Sequence, residues 1–487
     1  MTGDSRTQRG EYGMPGDDLC YLGAAEALAA FKARKLSPVE LMQAVIARAE
    51  VVEPRINAFT ASFFEQALEQ ARKAEARYMK TDGCTRPLEG LPTAIKDESY
   101  IKGQVTTKGS LVLRDAVAPY TSLVAERLLR AGAIVHARTA TPEFSCIGVT
   151  HSRLHGITRN PWNTDFTPGG SSGGAAAALA AGSTTLANGS DIGGSIRIPA
   201  SACGLAGFKP PYGRNPDEPP FSLDFYCHTG PLARSVRDCA VMQNVMAGPH
   251  PRDIVSLRPK LRIPDRLGDI KGWRIAYSLD LGYAEIDSEV AANTLAAIEA
   301  LRAAGATVEA VDLGWSWSTL TAAMNYLGHL FGASIVRYFA RHRHELTDYA
   351  IAFAEAGQRV STEDFFSSLE VVGKMYGTLG PILEKYRILL CPTLAVPAVP
   401  ADHNPARDRV EINGVEVAPE LGWCLTYPFN MMSRCPVMSV PSGQAANGVP
   451  TGVQIVGRTY DDVSVFRAAA ALEAADPWYT AARRPKL

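Results

Sequence analysis

"TPGGSSGGAAAALAAG", residues 167–182, joins a glycine- and serine-rich loop to a run of alanines. Gly169, Ser171 and Gly173 satisfy G-x-S-x-G, the pattern of a strand-to-helix nucleophile elbow. An elbow needs a histidine and an acidic residue later in the chain. His228, in "FYCHTGP" (225–231), and His329 follow, but no local pattern marks either, and both read as structural. What remains is a shaped turn that enters a helix of small residues, a composition suited to close packing behind its own loop.

Two more segments share this glycine and serine chemistry. In "GLPTAIKDE" (90–98), Lys96 directly follows the apolar, strand-like run Thr93-Ala94-Ile95. Alone it would be a surface lysine at a strand end. In "LANGSDIGGSIRIPASACGLAGFKP" (186–210), a Gly-Gly-Ser turn at 193–195 has Asp191 before it and Arg197 after it. Such a turn lets the backbone approach a ligand and lets successive N–H groups converge on one point. Neither loop gives G-x-x-x-x-G-K-[ST], or G-x-G-x-x-G with its downstream acid, so a phosphate cradle is a poor fit.

"GLPTAIKD", "NPWNTDFTPGGSSGG" (160–174) and the 186–210 segment, in this order, resemble the amidase signature family of Ser-Ser-Lys amide hydrolases. The resemblance begins at "LSPVELMQAVIARAEVVEPRINAF" (36–59) and reaches "CPTLAVPAVP" (391–400) and "VPTGVQIVGRTYDD" (449–462). It implies an α/β fold in which a central mixed β-sheet is covered by helices on both faces. It implies that Ser195, 24 residues after Ser171, is the nucleophile, that Ser171 is a bridging serine after a cis peptide bond, and that Lys96 is the base. The backbone N–H groups of Ile192, Gly193, Gly194 and Ser195 would hold the oxyanion. Asp191 and Arg197 would form a supporting ion pair, and Ser172 would bond within the loop. Ser145, in "TPEFSC" (141–146), falls where the family lines its acyl pocket; Tyr326 and Phe331 are further pocket candidates. No cofactor and no metal is expected.

The chemistry is consistent with the residue types. A serine hydroxyl is a weak nucleophile until a base takes its proton. Lysine is that base only when neutral, and burial lowers its pKa toward that state. A hydroxyl between base and nucleophile can accept one proton while donating another.

The chain has 487 residues, 46% hydrophobic and 20% charged, with a formal charge of −1. These values fit a globular protein and give no support for a nucleic-acid or anionic-membrane partner. No apolar run approaches a membrane span. Nine cysteines at irregular spacing, without C-x-x-C, argue against a disulfide framework and a structural zinc site, and point to a reducing cytoplasm. Residues 1–18 are polar and glycine-rich, without the apolar core of a signal peptide, and read as a disordered or extended tail.

Residues 19–85 read as helices packed on the core, with a break near Pro54. Ser37, Pro38 and Glu40 form a capping-box start. The rest, 86–487, reads as one catalytic domain. Within it, 121–139, 273–278, 287–305 and 307–313 alternate helix and strand, and "VEINGVEV" (410–417) is a hairpin. Residues 315–386 read as a largely helical insertion whose aromatics serve mainly as core. "PFNMMSRCPVMSVPSG" (428–443) departs from the family form, because Asn430 and Pro436 are six apart rather than five.

Three functions follow as expectations. The first is hydrolysis of C–N bonds in small aryl or aliphatic amides, with carbamates and esters open, and with a homodimer as the assembly left open. The second is a glutaminase-type subunit of a tRNA-dependent amidotransferase. The third is a non-catalytic binding protein on the same scaffold.

Overall fold

The computed structural model describes residues 16–80 and 85–487. Most of the expected tail, and Cys84, lie outside the described residues; Gly16–Leu19 forms one helical turn.

Eleven strands form one mixed sheet. They are β1 (Phe59–Ser62), β2 (Pro92–Lys96), β3 (Ile134–Thr139), β4 (Leu186–Asp191), β5 (Ala206–Lys209), β6 (His228–Ala233), β7 (Arg274–Tyr277), β8 (Thr307–Ala310), β9 (Ile388–Pro392), β10 (Val437–Gln444) and β11 (Pro450–Gly457). Their order across the sheet is β1-β3-β2-β4-β6-β5-β10-β11-β9-β7-β8. β2 runs parallel to both β3 and β4. From β4 to β9 the neighbours are antiparallel, and β9, β7 and β8 are again parallel.

Alternation along a strand sends its side chains to two cores. In β9, Ile388 and Leu390 join the layer built from helices such as Ser288–Ala303 and Asp462–Ala475. Leu389 and Cys391 join the opposite layer, with Leu320, Tyr326 and Leu327 of helix Ser318–Val336. The sheet is therefore covered on both faces. Among the described residues no helix is long and apolar enough to cross a membrane.

Local signals in the sequence are met where they were strongest. Ser37 accepts from Val39 N at 2.9 Å, and Glu40 Oε2 accepts from Ser37 N at 2.8 Å, which starts helix Pro38–Ile56. The Asn413-Gly414 pair takes positive φ (52° and 81°) between two short paired strands, the geometry that a two-residue hairpin turn requires. Two expectations for the N-terminal region change. The helix runs through Pro54, whose missing N–H falls in its last turn, and closes at Asn57 in the left-handed conformation. The helical run is also interrupted by β1, which pairs antiparallel with β3 at the sheet edge.

Residues 318–385 form helices Ser318–Val336, Phe339–His342, Asp348–Gln358 and Thr362–Lys385 with a short 3-10 turn. They stand over the sheet end that carries the glycine loops.

Candidate active site

Three parallel neighbours, β2, β3 and β4, end on the same side of the sheet, the side where open α/β sheets place their ligands. Lys96 is the last residue of β2 and Asp191 the last of β4. After β3 the chain forms the turn Glu143–Ser145, in which Phe144 and Ser145 have positive φ. The loop 192–195 leaves β4 directly, so topology alone brings Lys96, Ser145 and Ser195 to one edge.

The Ser171 loop reaches that edge from behind. Helix Gly173–Ala181 is buried at every position and leads toward β4. A Cβ on Gly174 would stand 2.4 Å from Ala140 N and 2.5 Å from Ala58 O, so nothing larger fits. The peptide bond Gly170–Ser171 is cis, as the family resemblance implies. Lys96, 1% exposed, places Nζ within hydrogen-bond distance of Ser171 Oγ and of Ser190 Oγ, both at 2.8 Å. Its Nζ also lies 2.9 Å from Glu98 Oε2.

Ser172 N donates to Ser195 O at 3.2 Å, which ties the two serine loops together, and Ser172 Oγ donates to Ser190 O at 3.4 Å. Among the described residues no hydrogen bond joins Ser171 Oγ to Ser195 Oγ. Ser195 itself faces a cavity of about 270 Å³.

The 192–197 loop is held by a buried ion pair. Arg197 and Asp191 are both 0% exposed, with Arg197 Nη2 at 2.9 Å from Oδ1 and Nε at 3.0 Å from Oδ2. Asp191 Oδ2 also accepts from Ile196 N at 3.2 Å, and Arg197 donates to Thr426 O, Gln454 Oε1 and Asn430 Oδ1. Burial alone would raise the Asp191 carboxyl, but the Arg197 guanidinium and the Asn430 amide hold it well below the usual carboxylate range. Gly194 has φ 129°, and a Cβ there would meet Thr426 Oγ1 at 2.0 Å, so this position excludes a side chain twice over. Replacing Asp191 by alanine leaves Arg197 buried without an anion and is expected to lower stability by about 3–5 kcal/mol. Urea denaturation checks this; an unchanged midpoint would show that the neutral acceptors carry Arg197 alone.

Charge around Lys96 is opposed. Burial pushes its ammonium below the usual lysine range, while Glu98, Cys227 and Asp191 pull the other way. Burial would likewise raise Glu98, but the Lys96 ammonium and the hydrogen bonds from Lys96 and Ser145 outweigh it and hold the carboxyl at about 2.

The pocket candidates separate. Ser145 and Phe331 line the cavity, together with Ile147, Ile192, Met324 and Leu327. Tyr326 does not. Its hydroxyl donates to Asp224 Oδ1 at 3.0 Å, and its ring stacks on Tyr226 with centroids 3.7 Å apart. A buried tyrosine hydroxyl needs a partner, and Asp224 draws it away from the cavity. His228 stands between the carbonyls of Asp191 and Ser433, at 3.1 and 3.2 Å, and burial lowers it to about 3; this is a structural histidine.

Glu98, Ser190 and Thr426 were not singled out from the sequence, and Asn430 was noted only for its spacing from Pro436. For Glu98 the sequence held only its nearness to Lys96, because it lies in the turn beyond the strand, where side-chain direction is not set by alternation. Asn430, in the atypical segment, reaches Asp191 Oδ1 at 2.8 Å from the short helix Pro428–Met431. Among the described residues there is no group of three His, Cys, Asp or Glu side chains placed to hold a metal, and no disulfide.

A model of the Amidase family matches residues 40–466. An acylamidase of Rhodococcus erythropolis is 34% identical over 96% of this chain and 98% of its own. A glutamyl-tRNA(Gln) amidotransferase subunit from Geobacter metallireducens is 34% identical over 92% of this chain and 96% of its own. Among solved structures, a bacterial aryl acylamidase of the amidase signature family superposes with a TM-score of 0.88 at 32% identity, covering 94% of this chain and 97% of that one. The 6-aminohexanoate cyclic dimer hydrolase superposes with a TM-score of 0.84 at 27% identity, covering 96% and 99%. Motif order, sheet topology, the lysine–serine contact and these full-length likenesses agree, and the chain belongs to the amidase signature family of enzymes that hydrolyse amide C–N bonds.

Proposed function

We propose that this enzyme hydrolyses small-molecule amides carrying an aryl or medium-length apolar group, through an acyl-Ser195 intermediate. The observation that carries the reading is the buried Lys96–Ser171 contact at 2.8 Å, set beside Ser195 at the end of an apolar cavity.

The steps follow from hydrogen-bonding capacity. Neutral Lys96 takes the Ser171 proton as Ser171 takes that of Ser195, and Ser195 Oγ bonds to the amide carbonyl carbon. The carbonyl oxygen becomes an oxyanion within reach of the N–H groups of Ile192, Gly193, Gly194 and Ser195. Preorganised donors of this kind are worth roughly 3–4 kcal/mol each where measured by mutation. The C–N bond then breaks as Ser171 passes a proton to the nitrogen, refilled from the Lys96 ammonium. Water attacks the ester by the same relay and releases the acid. Asp191, Arg197 and Ser172 take no proton; they hold the loop.

The cavity supports the substrate class. About 270 Å³ walled by isoleucine, methionine, leucine and phenylalanine suits an aromatic ring or a short chain. Met324, Leu327, Phe331 and Phe353 come from the helices of 318–358, which supports reading 315–386 as a cover on a catalytic domain of 86–487. The reaction needs no cofactor, nucleic acid or partner protein, and we place it in the cytoplasm, with a homodimer open.

A turnover panel of glutamine, aliphatic amides, anilides and carbamates tests this. Anilides or medium-chain amides are expected to exceed glutamine in kcat/KM by at least about tenfold, since each apolar methylene in a fitted pocket adds discrimination. Turnover of glutamine alone would overturn the reading in favour of an amidotransferase component, the role named for the Geobacter metallireducens relative.

A further inference from the structure

We propose that Glu98 is a positioning residue of the proton relay: one carboxylate oxygen orients the Lys96 amine toward Ser171 and ties it to the cavity wall. The inference rests on Lys96 being the base.

Glu98 lies in the turn after β2, two residues beyond Lys96, with its side chain 26% exposed. Its Oε2 lies 2.9 Å from Lys96 Nζ, and accepts from Ser190 Oγ at 3.0 Å and from Ser145 Oγ at 2.8 Å. A carboxylate only accepts, so these bonds have a fixed direction. One Lys96 N–H must point at Glu98. Ser190 gives its single hydrogen to Glu98, so its oxygen accepts a second N–H from Lys96, at 2.8 Å. A neutral amine has two N–H bonds and one lone pair. With both N–H bonds assigned, the lone pair is left for the third neighbour, Ser171 Oγ at 2.8 Å. That is the polarity a base needs: Ser171 donates to lysine, and its oxygen stays open to the proton of Ser195. Without the anion, Ser190 could turn its hydrogen toward the amine, and the lone pair would no longer be directed.

Glu98 also links the relay to the substrate. Ser145, which lines the apolar cavity, donates to the same Oε2 and pairs with Thr141 Oγ1 at 2.8 Å. The carboxylate itself looks into a second cavity of about 250 Å³. Other titratable groups face this pair. Asp191 from β4 and Cys227 from the segment before β6 face Lys96; Lys108 and Asp217 face Glu98.

The test is the rate of Ser195 labelling by a fluorophosphonate against pH, on the full-length enzyme with Glu98→Gln. Lysine acts when neutral, so the labelling rate rises with pH through its titration. Removing the adjacent anion is expected to move this acid limb down by about 1–3 pH units and to lower the plateau roughly tenfold. A limb that stays in place or moves up overturns the proposal, as does a limb that moves in Asp217→Asn but not in Glu98→Gln. If glutamine at 98 prevents folding, Glu98→Asp keeps the charge and should hold the limb in place, while Glu98→Ala should move it. Lys96→Ala separates the two readings. Normal labelling in Lys96→Ala sinks the base itself; slow labelling there with an unmoved Glu98→Gln limb sinks only the role of Glu98.

Discussion

Alanine at Ser195 is expected to abolish fluorophosphonate labelling and to lower kcat by roughly 10⁵-fold, the scale seen when a hydrolase loses its nucleophile. A factor of 10⁵ is about 7 kcal/mol of barrier. No rearrangement of second contacts supplies that much, so the result separates a nucleophile from a residue that merely lines the cavity. The fold should survive. Ser195 is 6% exposed, and its one tie to Ser172 runs through the backbone carbonyl, which alanine retains. Labelling that persists with an intact cavity would move the nucleophile elsewhere, and Ser171 would be the next serine to replace.

Alanine at Lys96 is expected to lower acylation at neutral pH by about 10²–10⁴-fold, the usual worth of a positioned general base. The proposed oxyanion donors, at 192–195, do not involve Lys96, so a residual rate should remain, unlike the Ser195 case. The residual rate should also lose the wild-type rise with pH, because the group that must become neutral is gone. Lys96 anchors β2 through its backbone, whose N–H donates to Asn188 Oδ1 at 2.9 Å and whose carbonyl accepts from Ser99 N at 3.0 Å. Thermal unfolding should therefore stay cooperative. Near-normal turnover would exclude Lys96 as the base and leave the ion pair with Glu98 a structural one.

Much of this site is legible in short stretches. The Ser171 and Ser195 loops, the small-residue helix between them and the lysine at a strand end are local patterns, each needing a few neighbours in sequence. The rest depends on distance in space. Glu98 and Ser190 lie 92 positions apart, and only the parallel pairing of β2 with β4 sets them around one amine. Tyr326 has the residue type of a pocket wall, yet an acceptor 102 positions away turns it into the core. β1 hides among helices because a four-residue edge strand carries too little periodicity to read, and only its pairing with β3 defines it. Asn430 sits in a segment whose spacing looked irregular; its role comes from Asp191, which lies 239 positions away.

By itself the sequence determined the chemistry available here: which hydroxyls and which amine stand in glycine-shaped loops, and in what order along the chain. It did so because backbone freedom and close packing are demands on residue type, and residue type is what a sequence states. Only the tertiary structure decided the meetings: which hydroxyls surround the Lys96 amine, which wall the cavity has, and which carboxylate stands beside that amine. Hydrogen-bond polarity and burial arise from groups meeting in space, and no local pattern in the chain encodes that meeting.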